Sequence, residues 1–162
     1  MRKIVTIICL VFLCTSCLVH KGQWLGDQCR PKKANFRILK TPFRETDKLS
    51  FESVYLSDRK HFGIGFYPDG RMMYFVSKGN EELRDQDIVG IDWNSAKYIG
   101  YWRVEKNEIK IEYFVCGDFG TYREKQGIIK GDTVLFERYC SSSPFKSEKC
   151  FSKYVLSDIS LE

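Results

Sequence analysis

The sequence predicts an all-β fold, an antiparallel meander of about eight strands that closes into a small barrel, with a β-sandwich as the alternative. Three observations predict it. Alanine is confined to Ala34 and Ala96, whereas Phe, Tyr, Ile and Val are plentiful, a composition that favours strands over helices. Apolar and polar residues alternate over 108–116, with Ile109, Ile111, Tyr113 and Val115 on one face and Glu108, Lys110 and Glu112 on the other. Turn residues recur at short, regular intervals from residue 57 onward.

In chain order, the first clear strand is expected at Leu49–Leu56 and the second at His61–Tyr67, where Phe62, Ile64 and Phe66 share a face opposite Gly63 and Gly65. Pro68-Asp69-Gly70 is a turn because Pro presets φ, Asp caps locally and Gly accepts a positive φ, so Arg71–Ser77 returns as the second arm of a hairpin. Residues 78–95 are polar with four apolar anchors, Leu83, Ile88, Val89 and Ile91, and read as a long connection or a short helix. Strands then follow at Lys97–Glu105, Glu108–Cys116, Thr121–Lys130 and Thr133–Cys140. Ser141–Lys149 reads as a looser loop before a closing strand at Cys150–Leu156. A closed barrel has the advantage of leaving no exposed strand edge.

The N-terminus is organised differently. Met1-Arg2-Lys3 precedes an apolar run, Ile4–Cys14, too short for a bilayer core that needs roughly 20 residues, and Thr15-Ser16 supply the small residues of a cleavage site. Residues 1–16 are therefore expected to be a signal peptide. Thr15-Ser16-Cys17 resembles the lipobox of bacterial lipoproteins, although Cys14 stands where an aliphatic residue is usual and Leu13 lies one place early. The resemblance implies cleavage before Cys17, a diacylglyceryl group on its sulfur and acylation of the new amine by a chain such as palmitate. It also implies a membrane partner, and Leu18, in place of an inner-membrane-retaining Asp, implies the outer membrane; without an acidic surface-display cluster, the periplasmic face is expected. Residues 17–47, basic and turn-rich, are expected to form the lipidated N-terminus, a tether and an irregular arm with a short strand at 36–39, and residues 48–162 the barrel.

Removing the signal takes away Arg2 and Lys3 and lowers the formal charge from +5 to +3, too weak and too dispersed for a nucleic-acid face. Of the seven cysteines, Cys9 and Cys14 leave with the signal and Cys17 takes lipid. Cys29, Cys116, Cys140 and Cys150 remain, an even set in an exported chain that allows three pairings. Cys29–Cys116 and Cys140–Cys150 are favoured, the first tying the N-terminal segment to the sheet and the second closing one connection.

Gly100-Tyr101-Trp102-Arg103-Val104-Glu105-Lys106-Asn107-Glu108-Ile109-Lys110-Ile111, followed by Gly127-Ile128-Ile129-Lys130-Gly131-Asp132-Thr133-Val134, resembles the barrel meander of lipocalin-like lipoproteins of Bacteroidetes. Phe66-Tyr67-Pro68-Asp69-Gly70 resembles the hairpin that often precedes it. These motifs consist of turn glycines and core aromatics, so what they imply is fold. Gly22-Gln23-Trp24 matches the short G-x-W signature of true lipocalins, but beside the anchor and before a Pro/Lys-rich stretch it reads as coincidence.

No cluster announces a reaction, and an enzyme is not expected. His61 is the only His away from the anchor, and a strand His is more often a surface or core residue than a catalyst; Ser141-Ser142-Ser143 lacks the glycine-flanked elbow of hydrolases, and no Cys/His spacing fits a zinc site. Glu81, Glu82, Asp85, Asp87 and Asp92 do not have calcium-loop spacing and read as a solvated loop. No cofactor or metal is expected. Two binding functions remain. In one, the barrel holds a small apolar ligand lined by Phe62, Ile64, Phe66, Tyr98, Trp102, Ile111 and Tyr113. In the other, those residues fill the barrel and the domain is an envelope module that recognises a protein or a glycan. Small barrels are commonly filled by their own side chains.

Overall fold

A computed structural model describes residues 20–79, 81–117, 119–143 and 146–161. The signal segment and Cys17 lie outside the described residues. Ten strands run in chain order: β1 Gly22–Leu25, β2 Gln28–Pro31, β3 Ser53–Ser57, β4 Phe62–Phe66, β5 Arg71–Val76, β6 Tyr98–Glu105, β7 Glu108–Val115, β8 Thr121–Lys130, β9 Thr133–Ser143 and β10 Lys146–Ser160. Strands β3 to β10 form a closed antiparallel barrel in sequential order, and β1 and β2 form a separate hairpin. The lipocalin-like meander is thus the architecture, and the sandwich is not. Closure is made by β10 on β3, through Tyr154↔Ser57, Val155↔Leu56 and Leu156↔Tyr55.

The turns are built as their residues require. At Pro68-Asp69-Gly70, Gly70 has φ +88° and its N–H donates to the Tyr67 carbonyl at 3.1 Å. Trp102 N–H then donates to the Gly70 carbonyl at 2.8 Å, fixing this turn to β6. The loop expected at 141–149 is instead a continuing hairpin, with β9 and β10 paired from Lys146↔Ser143 to Val155↔Thr133. The backbone ladder needs no apolar side chain to form, and a polar run such as Ser141-Ser142-Ser143 gives no alternation by which to recognise it.

Three clusters hold the molecule together. Inside the barrel, Ile64, Phe66, Met72, Trp102, Ile109, Ile111, Val134 and Phe136 pack with Tyr55 and Leu49. One end is plugged by the segment before β3: Phe43 and Phe51 lie 5.3 and 5.9 Å from the Trp102 ring. On the outer wall of β3–β6, Leu83, Ile88 and Ala96 of the 77–97 connection cover Val54, Met73 and Phe75. That connection contains a 3₁₀ turn at Asp85–Asp87, and its acidic residues serve local structure. Asp92 caps Ser95 N–H at 2.7 Å, and the carboxylate of Glu82 meets Lys60 at 3.4 Å.

The third cluster corrects the expected tether. Cys29, Phe36 and Ile38 are buried against Phe114 and Cys116 on the outer face of β6–β8, so the arm is docked rather than free. The strand expected at 36–39 is a 3₁₀ turn, Arg37–Lys40. Phe36 and Ile38 pack side chain to side chain on the outer wall, and no ladder joins this segment to a barrel strand among the described residues. Ile38 N–H donates to the Glu112 carboxylate at 2.8 Å instead. The disulfides are Cys29–Cys116 and Cys140–Cys150, the pairing favoured on sequence grounds.

Candidate functional site

The residues proposed to line a cavity divide by depth. Ile64, Phe66 and Trp102 are 0% exposed and Ile111 is 1% exposed, all within the same packed cluster. Trp102 Nε1–H is satisfied by the Tyr67 carbonyl at 2.9 Å, so the indole is locked in place at both its polar and its apolar parts. Phe62 is 38% exposed at the opposite end from the Phe43–Phe51 plug, 6.0 Å from the Tyr74 ring. Tyr98 is half-buried beside Trp24, and Tyr113 stacks on Tyr74 at 4.7 Å with the rings within 5° of parallel. The lower and middle barrel is therefore filled, and the end away from the Phe43–Phe51 plug, which no described residue plugs, is where these residues meet polar groups.

At that end sits Lys125 of β8, which sequence reading did not single out. Lys125 is the register partner of Ile111, so its side chain shares the inward face. Its Nζ lies 3.3 Å from the Tyr154 hydroxyl and 3.5 Å from that of Tyr74, and the two hydroxyls are hydrogen-bonded to each other at 3.2 Å. Four rings surround the ammonium: Tyr74 at 5.1 Å, Tyr154 at 5.4 Å, Phe136 at 5.8 Å and Tyr113 at 5.9 Å. Cation–π attraction offsets part of the cost of removing the charge from water. Burial nevertheless pushes the Lys125 ammonium down to about 8. It also raises the Tyr154 phenol and pushes those of Tyr74 and Tyr113 well above their ordinary range.

The β8–β9 pairing ends beside this group. The β8–β9 ladder runs from Lys130↔Thr133 only to Gly127↔Phe136, after which β8 stays with β7 and β9 with β10. Gly127 permits the last close approach, because a Cβ there would collide with the Leu135 carbonyl. Lys125 lies just above the parting seam, and Arg138 stands at the matching place on β9. The electrostatic influence of Arg138 reaches Tyr154, and that of Arg123 reaches Tyr113.

A second polar place lies on the outer wall, in a groove of about 750 Å³ between the arm and β8, lined by Lys21, Lys32, Lys33, Arg37, Glu112 and Tyr122 among others. One Glu112 oxygen accepts from Ile38; the other has no hydrogen-bond partner among the described residues. His61 is used locally, its Nδ1 lying 2.8 Å from the Glu81 carbonyl. Comparison of the chain with protein-family models, with curated proteins and with solved structures finds no match.

Proposed function

We propose that this chain is a non-enzymatic, lipid-anchored envelope protein whose barrel is a filled scaffold, recognising its partner at the unplugged end and outer surface rather than enclosing an apolar ligand. The packed interior carries this reading. A carrier needs a hollow, and the positions that would line it most deeply, Ile64, Phe66, Trp102 and Ile111, are occupied by one another and by Met72 and Phe136. Anchoring rests on Cys17 and the signal-like residues before it. It is supported by the hairpin that follows, whose Trp24 and Leu25 are 49% and 53% exposed with Lys97 beside Trp24, a composition suited to a membrane–water interface.

Native mass spectrometry of the full-length protein, extracted gently from membranes, tests the filled barrel. The expected spectrum is that of the processed, acylated polypeptide with no apolar small molecule retained. Retention of such a molecule at a stoichiometry near one, lost on Trp102→Ala, would overturn the reading in favour of a carrier.

A further inference from the structure

The group around Lys125 has more hydrogen-bond donors than it can use internally. An ammonium brings three hydrogens and each tyrosine hydroxyl brings one, but the triangle of Lys125, Tyr74 and Tyr154 has only three edges. Two donors are left over among the described residues. A structural lysine withdrawn from water is ordinarily balanced by a carboxylate, which offsets the desolvation cost that rings and hydroxyls meet only in part. Here burial lowers the Lys125 proton affinity, and no acidic side chain contributes among the described residues. Asp58 acts electrostatically on Tyr154 and makes no ion pair with Lys125 among the described residues. Among the described residues, Arg123 and Arg138 share the inward parity of β8 and β9 with Lys125.

We infer that the unplugged end of the barrel is an oxyanion site, in which Lys125 Nζ and the hydroxyls of Tyr74 and Tyr154 hold the carboxylate or phosphate of a small ligand. The inference rests on the reading that recognition takes place at this end of a filled barrel, and supplies its chemistry. A cationic ligand is excluded because the aromatic box already holds an ammonium. A neutral apolar ligand would leave both spare donors unsatisfied and would find the space beneath taken by Phe136, Ile111 and Met72. An oxyanion accepts both donors, neutralises the buried charge and can enter where β8 and β9 part. The remainder of the ligand lies outward, against Phe62 and toward Arg138.

Isothermal titration of the purified full-length protein in detergent with benzoate, inorganic phosphate and benzyl alcohol tests this. At pH 7, one or both anions are expected to bind saturably at a single site, and which of them does so assigns the carboxylate or the phosphate source. Benzyl alcohol, the neutral match to benzoate, is expected to give no binding. Lys125→Met and the double variant Tyr74→Phe/Tyr154→Phe should each weaken the anion about tenfold or more, the loss typical of a charge-assisted hydrogen bond, while Lys125→Arg should stay within a few-fold of wild type. Above pH 8 the affinity should fall as Lys125 loses its proton, while burial keeps the three tyrosines neutral; Asp58, Arg123 and Arg138 are the other charged groups that act on this cluster among the described residues. Absence of saturable binding for both anions, equal binding of benzyl alcohol, or wild-type affinity in folded Lys125→Met would overturn the inference. If Lys125→Met does not fold, the contrast between Lys125→Arg and the double tyrosine variant decides it. A retained apolar molecule in the mass spectrum would sink the filled-barrel reading; failure of the anions with a clean spectrum sinks only this site.

Discussion

At the scale of residues, Lys125 makes the stability of the barrel depend on pH in a direction opposite to that of a paired lysine. Its folded value, about 8, lies below the ordinary 10.5, so between these limits the unfolded chain binds more protons than the folded one. Stability therefore rises with pH across that window. The tyrosines act the other way once pH passes about 10, because their folded values are raised and the unfolded chain releases its protons first. Urea unfolding at a series of pH values should show wild type gaining on the order of 1–3 kcal/mol relative to Lys125→Met between pH 8 and 10. Parallel curves for the two proteins would mean that Lys125 is not desolvated in solution. Its inward placement was half-legible in the sequence. Arg123, Lys125, Gly127 and Ile129 fall on one parity of β8 and Tyr122, Glu124, Gln126 and Ile128 on the other, and both sets are mixed in polarity. Only the register against Ile111 selects the first set as internal.

At the scale of elements, the two disulfides do different work. Cys29–Cys116 spans a sequence separation of 87 and clamps the β1–β2 hairpin and the 36–38 segment onto β7. Cys140–Cys150 spans 10 and joins strands that already pair. Chain-entropy reasoning assigns about 4–5 kcal/mol to the first and about 3 kcal/mol to the second. The double variant Cys29→Ser/Cys116→Ser should lose more stability in urea than Cys140→Ser/Cys150→Ser. It should also release the arm locally, read as early proteolysis and fast amide exchange around residues 28–40. The reverse order would show that the arm is held by Phe36, Ile38 and Glu112 without the bridge. The arm is also where sequence reading departed furthest from the structure. Pro31, Lys32, Lys33 and Pro42 suggest a tether merging into an irregular arm; the Cys29–Cys116 bridge was expected, but the burial of Phe36 and Ile38 that docks the arm was not.

At the scale of the whole molecule, the anchor and the site have separate consequences. Cys17→Ala is expected to give an unlipidated precursor that keeps its signal segment or fractionates away from the envelope membranes, read by mass spectrometry and fractionation. Its barrel should fold as in wild type, because the described core draws nothing from residues before His20. A Cys17→Ala product with wild-type processing and membrane association would remove the lipoprotein reading while leaving the oxyanion site to be tested on its own.

The sequence by itself determined an antiparallel all-β meander: strand alternation and turn residues such as Pro68-Asp69-Gly70 specify most strands and their order through local chemistry, and the even cysteine set favours one of three pairings. Closure of β10 on β3, docking of the arm and the filling of the interior were decided only in three dimensions. They depend on which side chains from distant strands share a face and how much volume they jointly occupy. The same is true of the Lys125 group, whose hydroxyls come from β5 and β10 and whose flanking rings come from β7 and β9. No spacing along the chain encodes that meeting, because it follows from the shared curvature and register of a closed sheet.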